Sequence, residues 1–286
     1  MRNQTQEIQV ACWSESEEKI RQVAAGDETE AQTSPQLRPW LFRGLGNSRW
    51  GLETTLERSY PSERCDETAK LQKYYRKILA AKPAVETFSG RRWVLPNPQE
   101  FGQILTDHWT SWLDIILGEQ AEIYEYLVYL RHHGFPSPLL DWTVSPYVAA
   151  LFAFDVVPEN VEYVSVYAVL PSAGSGSIDQ HFFLVGPYMR THERHFLQQC
   201  WYSMCVGLAH PDHGTKDYIF RPQEPAMADD LGPIVKLLKF TIPAKERRVA
   251  LQRLDLMNIN PFSLFGSEES LIRTVARREC YFKKWS

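Results

Sequence analysis

The sequence predicts an α+β fold, and three observations predict it. Helix-like and strand-like periods follow one another irregularly, without the strand–helix–strand repeat of a doubly wound sheet. Residues 161–170 alternate and end at Pro171, which reads as a strand. Residues 99–116 and 120–133 instead place apolar side chains at helical spacing. With 286 residues the chain exceeds the usual single-domain size, yet one elaborated unit accommodates it.

In chain order, residues 8–13 alternate like a short strand, and Ser14 with Glu17 offers a capping box for a helix carrying Ile20 and Val23 inward. Residues 26–36 are polar with a proline and read as a loop. A second strand over 38–43 is expected to stop at Gly44. Residues 63–81 carry Leu71, Tyr74, Tyr75 and Ile78 at helical spacing, and 83–98 are expected to be irregular. The 99–116 helix points Phe101, Ile104, Leu105, Trp112 and Leu113 inward, and the 120–133 helix ends at Gly134, suited to a left-handed cap. Further strands are expected near 201–208, 217–221 and 234–242. Helices follow at 243–256 and 267–280, the last capped by Ser267 with Glu268 and Glu269 in its first turn.

Composition narrows the function classes. A hydrophobic content of 44% with 23% charged residues is that of a soluble globular protein. The net charge of −4 gives no basic footprint for nucleic acid, and the basic clusters at 245–248 and 273–278 read as solvated helix faces. No apolar run approaches the roughly 18 residues that cross a bilayer, and the first residues lack the apolar core of a signal peptide. Five scattered cysteines without a CxxC pair speak against a disulfide framework or a thiolate zinc site and for a cytoplasmic location.

The segment Leu139-Leu-Asp-Trp-Thr-Val-Ser-Pro146 is the most informative. An apolar run ends in the polar cluster Asp141, Trp142, Thr143 and Ser145. Ser145 then reads as the N-cap, and Pro146 as the first residue, of a helix apolar on nearly every side. The positive end of that helix would face the same pocket as Asp141 and Thr143, an arrangement that suits an anion or nucleotide. A buried helix with an ordinary Ser-Pro cap explains the same residues. His132 and His133 are adjacent, so on a helix they point about 100° apart and cannot chelate one metal. No metal site is expected; one of the two histidines is expected to hydrogen-bond the Asp141 loop.

Four segments together carry a resemblance: Leu41-Phe-Arg-Gly44; His132-His-Gly-Phe-Pro136 leading into Leu139-Leu-Asp-Trp-Thr143; Arg194 through Gln198-Gln-Cys-Trp-Tyr-Ser203; and Phe240-Thr-Ile-Pro243 followed by Leu264-Phe265 and Glu269-Ser-Leu271. In order and spacing they resemble the FRG domain, named for its Phe-Arg-Gly signature, over about residues 37–277. The organisation implied is an N-terminal strand–helix extension, 1–36, before an FRG domain, 37–286. A remote similarity to the ADP-ribosyltransferase fold implies a central mixed, partly split sheet flanked by helices, with NAD as the cofactor.

On that resemblance Arg43 and Gly44 would hold the cofactor phosphates. His133, Trp142, Thr143 and Ser145 would line its rings, ribose or amide, and Gln198 or Gln199 would contact the nicotinamide ribose. Asp141 is the carboxylate left for chemistry, because a glutamine cannot ionise. An ADP-ribosyltransferase-like or NAD-hydrolysing effector, of the kind found in bacterial toxins and antiviral defence, would modify a macromolecular target that the sequence does not identify. A non-catalytic sensor of a nucleotide or peptide terminus is the other reading, and the missing glutamate is its support. The sequence also departs from the family's pattern. Pro138 stands where an arginine is common, Arg131 where a glutamine precedes the histidine pair, and Cys200 where a glycine follows Gln-Gln.

Overall fold

The computed structural model describes residues 5–25, 39–59, 70–107, 121–171, 181–186, 192–208, 218–227 and 234–283. Among these residues eight strands form one sheet: β1 (Gln6–Gln9), β2 (Leu41–Leu45), β3 (Leu140–Thr143), β4 (Tyr163–Pro171), β5 (His181–Val185), β6 (Cys200–Leu208), β7 (Tyr218–Phe220) and β8 (Ile234–Pro243). The order is β1-β8-β4-β2-β3-β6-β5, with β7 also paired to β6. The β1–β8 pair is parallel and the others are antiparallel, so the sheet is mixed.

Helices flank the sheet: α1 (Trp13–Ala25), α2 (Thr55–Ser59), α3 (Leu71–Ser89), α4 (Pro98–Asp107), α5 (Ala121–His132), α6 (Pro146–Asp155), α7 (Glu193–Leu197), α8 (Gln223–Met227), α9 (Arg247–Leu256), α10 (Pro261–Phe265) and α11 (Glu268–Ala276).

The sheet is nearly divided between β2 and β3. β2 makes five pairs with β4, but only Phe42↔Thr143 joins it to β3. Strand alternation puts Phe42, Thr143 and Cys200 on one face. On that face two cores sit side by side. One packs α1, α6 and α9 on β4 and β8, through Trp13, Ala149, Ala150, Ala153, Phe154 and Leu251. The other packs α3, α4 and α5 on β6, through Tyr74, Tyr75, Trp93, Phe101, Tyr124 and Tyr126. A smaller core on the opposite face holds Leu41, Leu45, Trp142, Tyr167 and Met227.

Several sequence expectations change in detail. β2 runs to Leu45, so Gly44 lies inside the strand; a Cβ there would stand 1.8 Å from the Ala149 carbonyl oxygen and 2.6 Å from the Ala153 nitrogen. Only a glycine lets α6 lie this close to β2. α1 starts at Trp13, two residues earlier than a Ser14 cap would place it, and its capping box does not form. Instead the Glu246 carboxylate accepts the Trp13 N–H at 3.0 Å, and Glu15 accepts that of Ala11 at 2.8 Å. α3 continues through Pro83, where irregular chain was expected, and stops at Gly90 with φ 69°. Pro83 removes one helical hydrogen bond, but Lys82 and Glu86 pair across that turn at 3.0 Å and Glu86 also accepts the Trp93 N–H at 2.8 Å. The final helix changes to a π-type turn over Arg277–Phe282. β5, α7 and α8 were not expected at all. The expected loop at 26–36, residues 63–69 of an expected helix, and Trp112 and Leu113 lie outside the described residues.

Candidate functional site

The join between the half-sheets opens into a cavity of about 410 Å³, within the rough 300–1,000 Å³ range of small-molecule sites. Its floor is Phe42, Arg43, Asp141, Trp142, Thr143 and Cys200; α6 supplies Ala149 and Phe152, and α5 supplies Arg131 and His132. Arg194, Gln198 and Phe265 close the far side, and Trp50 and Arg58 stand at the exposed rim.

Charge is the site's clearest property. Four guanidinium groups, from Arg43, Arg58, Arg131 and Arg194, line the cavity against one carboxylate, Asp141, among the described residues. The Arg43 guanidinium reaches across the gap where β2 and β3 stop pairing, and its Nη1 donates to the Asp141 carbonyl oxygen at 2.7 Å. Burial holds its pKa down to about 10, so it stays charged at neutral pH. Arg131, not Arg43, pairs with the Asp141 carboxylate, at 2.8 Å. Burial pushes the Asp141 carboxyl up, but Arg131, Arg43 and His132 outweigh it, and the pKa lies below the ordinary value. The Nε atoms of Arg43, Arg131 and Arg194 and Oδ1 of Asp141 are buried without a partner among the described residues. Such atoms are costly unless water or a ligand satisfies them.

A second network stiffens the α5 wall. Nε2 of His132 lies 2.7 Å from the Tyr202 hydroxyl, and Nδ1 of His195 lies 3.0 Å from the same oxygen. Arg194 Nη1 donates to the His132 carbonyl oxygen at 3.0 Å. Burial lowers the His132 pKa to about 4, so the ring is neutral at pH 7. The expected bond from a histidine to the Asp141 loop does not form; Tyr202 takes that ring instead.

Of the residues singled out from sequence, Arg43, Gly44, Asp141, Trp142, Thr143 and Gln198 line the cavity, while His133, Ser145 and Gln199 do not. His133 is exposed and packs its ring on Tyr129 and His192, with centroids at 4.4 and 5.1 Å. Trp142 is 1% exposed and donates Nε1–H to Ser203 at 2.7 Å on the opposite face, so its ring is not free to stack on a ligand. The Gln198 amide donates to the Leu264 carbonyl at 3.1 Å, and its oxygen faces the Cys200 thiol at 3.7 Å. Gln199 is exposed with φ 51°, and acts through its backbone, accepting the Val144 N–H at 3.3 Å.

The first turn of α6 is also used internally. Thr143 Oγ1 accepts the Ser145 N–H at 3.1 Å and Ser145 Oγ accepts that of Val148 at 3.3 Å, which weakens the expected helix-end anion site. Sequence reasoning left open which of His132 and His133 would stand near Asp141, and missed Arg131 and Arg194 in the site and Trp50, Phe152 and Phe265 as the accessible rings. The Arg131 departure from the family's pattern was the available signal.

The matched family model names the first half of this site. Its span holds Arg43, Arg131, His132, Asp141 and α6, whereas Arg194, Gln198 and Phe265 come from beyond it. No curated protein and no solved structure matches the chain. Among the described residues no helix is long and apolar enough to cross a membrane, and no cluster of His, Cys, Asp or Glu could hold a metal ion. The family model of the FRG domain matches residues 38–160 of the chain.

Proposed function

We propose that this FRG domain is a nucleotide-recognition module whose cleft takes the ligand's phosphate groups among Arg43, Arg131 and Arg194. The excess of guanidinium groups over the single Asp141 carboxylate carries this reading. Arginine forks suit phosphate oxygens, and burial strengthens the attraction. Trp50, 45% exposed at the rim, and Phe265, with the Arg194 guanidinium 5.4 Å over its ring, offer faces for a flat base.

NAD is the first ligand to test. Its phosphates fit the charge, and Arg43, Arg131 and Arg194 are the residues that would hold them. At a hundredfold excess over Kd, a bound ligand stabilises the fold by about 2.7 kcal/mol, so NAD should raise Tm while uncharged adenosine should not. Arg194→Gln should reduce the shift. Equal shifts with adenosine and NAD would remove the phosphate reading.

A catalytic reading comes second, favoured by one observation: Asp141 Oδ1 has no partner among the described residues. Gln198 is already engaged and Gln199 lies outside the cavity, so Asp141 is the available carboxylate. Its lowered pKa makes it a weak base, suited to holding charge rather than taking a proton. Mass spectrometry of NAD incubated with the protein and lysate decides between the readings. Turnover abolished by Asp141→Asn would favour the enzyme.

A further inference from the structure

We infer that His195, Tyr202 and His132 form a pre-set hydrogen-bond chain that presents His132 Nδ1–H to the cavity as a neutral donor for the ligand. The inference rests on the anion reading above for its direction, and on geometry for its parts. A tyrosine hydroxyl has one proton. Tyr202 sits between two imidazoles, 2.7 Å from His132 Nε2 and 3.0 Å from His195 Nδ1. The His132 ring is neutral, so a Tyr202 proton given to His132 Nε2 leaves that oxygen free to accept from His195 Nδ1–H. The choice at Tyr202 therefore sets the tautomer of both histidines.

His132 lines the cavity, and with Nε2 on Tyr202 its other ring nitrogen has no protein partner among the described residues. A ligand that four arginines attract is rich in acceptor atoms, so a donor is the complementary group at that nitrogen. It follows that Tyr202 donates to His132 Nε2 and accepts from His195 Nδ1–H. Packing holds the chain in place: the His195 and Tyr202 rings stack at 5.6 Å, Tyr124 meets Tyr202 edge-on at 6.3 Å, and both Tyr202 and His195 are buried. Arg194 fixes the His132 backbone as well. A neutral donor adds directionality that the arginines alone do not supply. It contacts one ligand atom without further charge.

Long-range ¹H–¹⁵N NMR of the imidazoles in the full chain without ligand reads the tautomers directly. The expected result is Nδ1–H at both His132 and His195 near pH 7. In Tyr202→Phe the His132 preference should be lost, and binding of inorganic pyrophosphate should weaken by about three- to tenfold, the loss of one hydrogen bond. A His132 protonated on Nε2 in the wild type would overturn the proposal whether or not Tyr202→Phe folds. Pyrophosphate failing to bind while His132 keeps Nδ1–H would overturn the anion reading alone.

Discussion

The two halves of the sheet are built from different material. On the β4–β8 side, α6 lies on β2 through Gly44, Ala149 and Ala153, close enough that backbone meets backbone. On the β6 side the core is aromatic and rich in tyrosine, with Tyr74, Tyr75, Tyr124, Tyr126, Tyr202 and Tyr218 buried. Several of those hydroxyls find partners: Tyr74 donates to the Pro136 carbonyl at 2.8 Å and Tyr75 to the Pro96 carbonyl at 2.7 Å. The first half is tightly fitted and largely apolar, and through Phe42, Ala149 and Phe152 it gives the cavity an apolar wall. The second carries polar groups into its interior, and from there the His132 network reaches the cavity. The site lies where the two kinds of packing meet and strand pairing falls to one residue pair.

Breaking the tight half should have the largest effect. Gly44→Ala puts a methyl group into the Ala149 carbonyl and the Ala153 nitrogen, backbone atoms of α6 that cannot turn aside. We expect a loss of about 3 kcal/mol, at the upper end of overpacking costs, by chemical denaturation. A change below about 1 kcal/mol would mean that α6 shifts freely on β2.

Cutting the join comes next. Asp141→Asn removes the carboxylate from Arg131 and leaves buried guanidinium groups facing one another. Because the Asp141 side chain is 31% exposed, we discount the full cost of a broken buried pair to about 2 kcal/mol. The folded-state pKa of Asp141 is depressed, so its contribution is fully present above the unfolded value of about 4 and is lost as pH falls through the folded pKa. Stability measured between pH 6 and pH 2 should therefore fall less steeply in Asp141→Asn than in the wild type. Parallel curves would show that Asp141 is not ionised in a favourable pair.

The smallest effect sharpens the picture of the aromatic half. The Tyr124 hydroxyl is buried without a partner among the described residues, unlike those of Tyr74 and Tyr75. Tyr124→Phe should be neutral or raise stability by at most about 1 kcal/mol, since it removes a desolvated group and no hydrogen bond. A clear loss would reveal a water or ligand partner for that hydroxyl.

The elements most readable from sequence were those that depend on local rules. The 161–170 alternation became β4 (Tyr163–Pro171), and Ser145 caps α6 with Pro146 in its first turn. Gly134, with φ 85°, ends the turn after α5 as its position suggested. What escaped depends on partners distant in sequence. Gln198 reads as a free amide until Leu264, 66 residues on, takes its N–H. Trp142 reads as a stacking surface until Ser203 takes its indole N–H from the opposite face. Arg131 and Asp141 are ten positions apart, yet only the angle between α5 and β3 turns them toward each other, and no periodicity encodes that angle. Short elements such as β5 and α7 span five residues each, too few for a period to show.

The point at which the family match ends bears on how this domain could be moved or trimmed. Asn160 closes the matched span, just before β4. β2 takes five of its six pairs from β4, so a fragment ending at residue 160 would leave the Phe-Arg-Gly strand with Phe42↔Thr143 alone. The same cut discards Arg194, Gln198 and Phe265. The recognisable stretch is thus one jaw of a clamp, and a graft into another protein has to bring the opposing jaw, through Phe265, along with it.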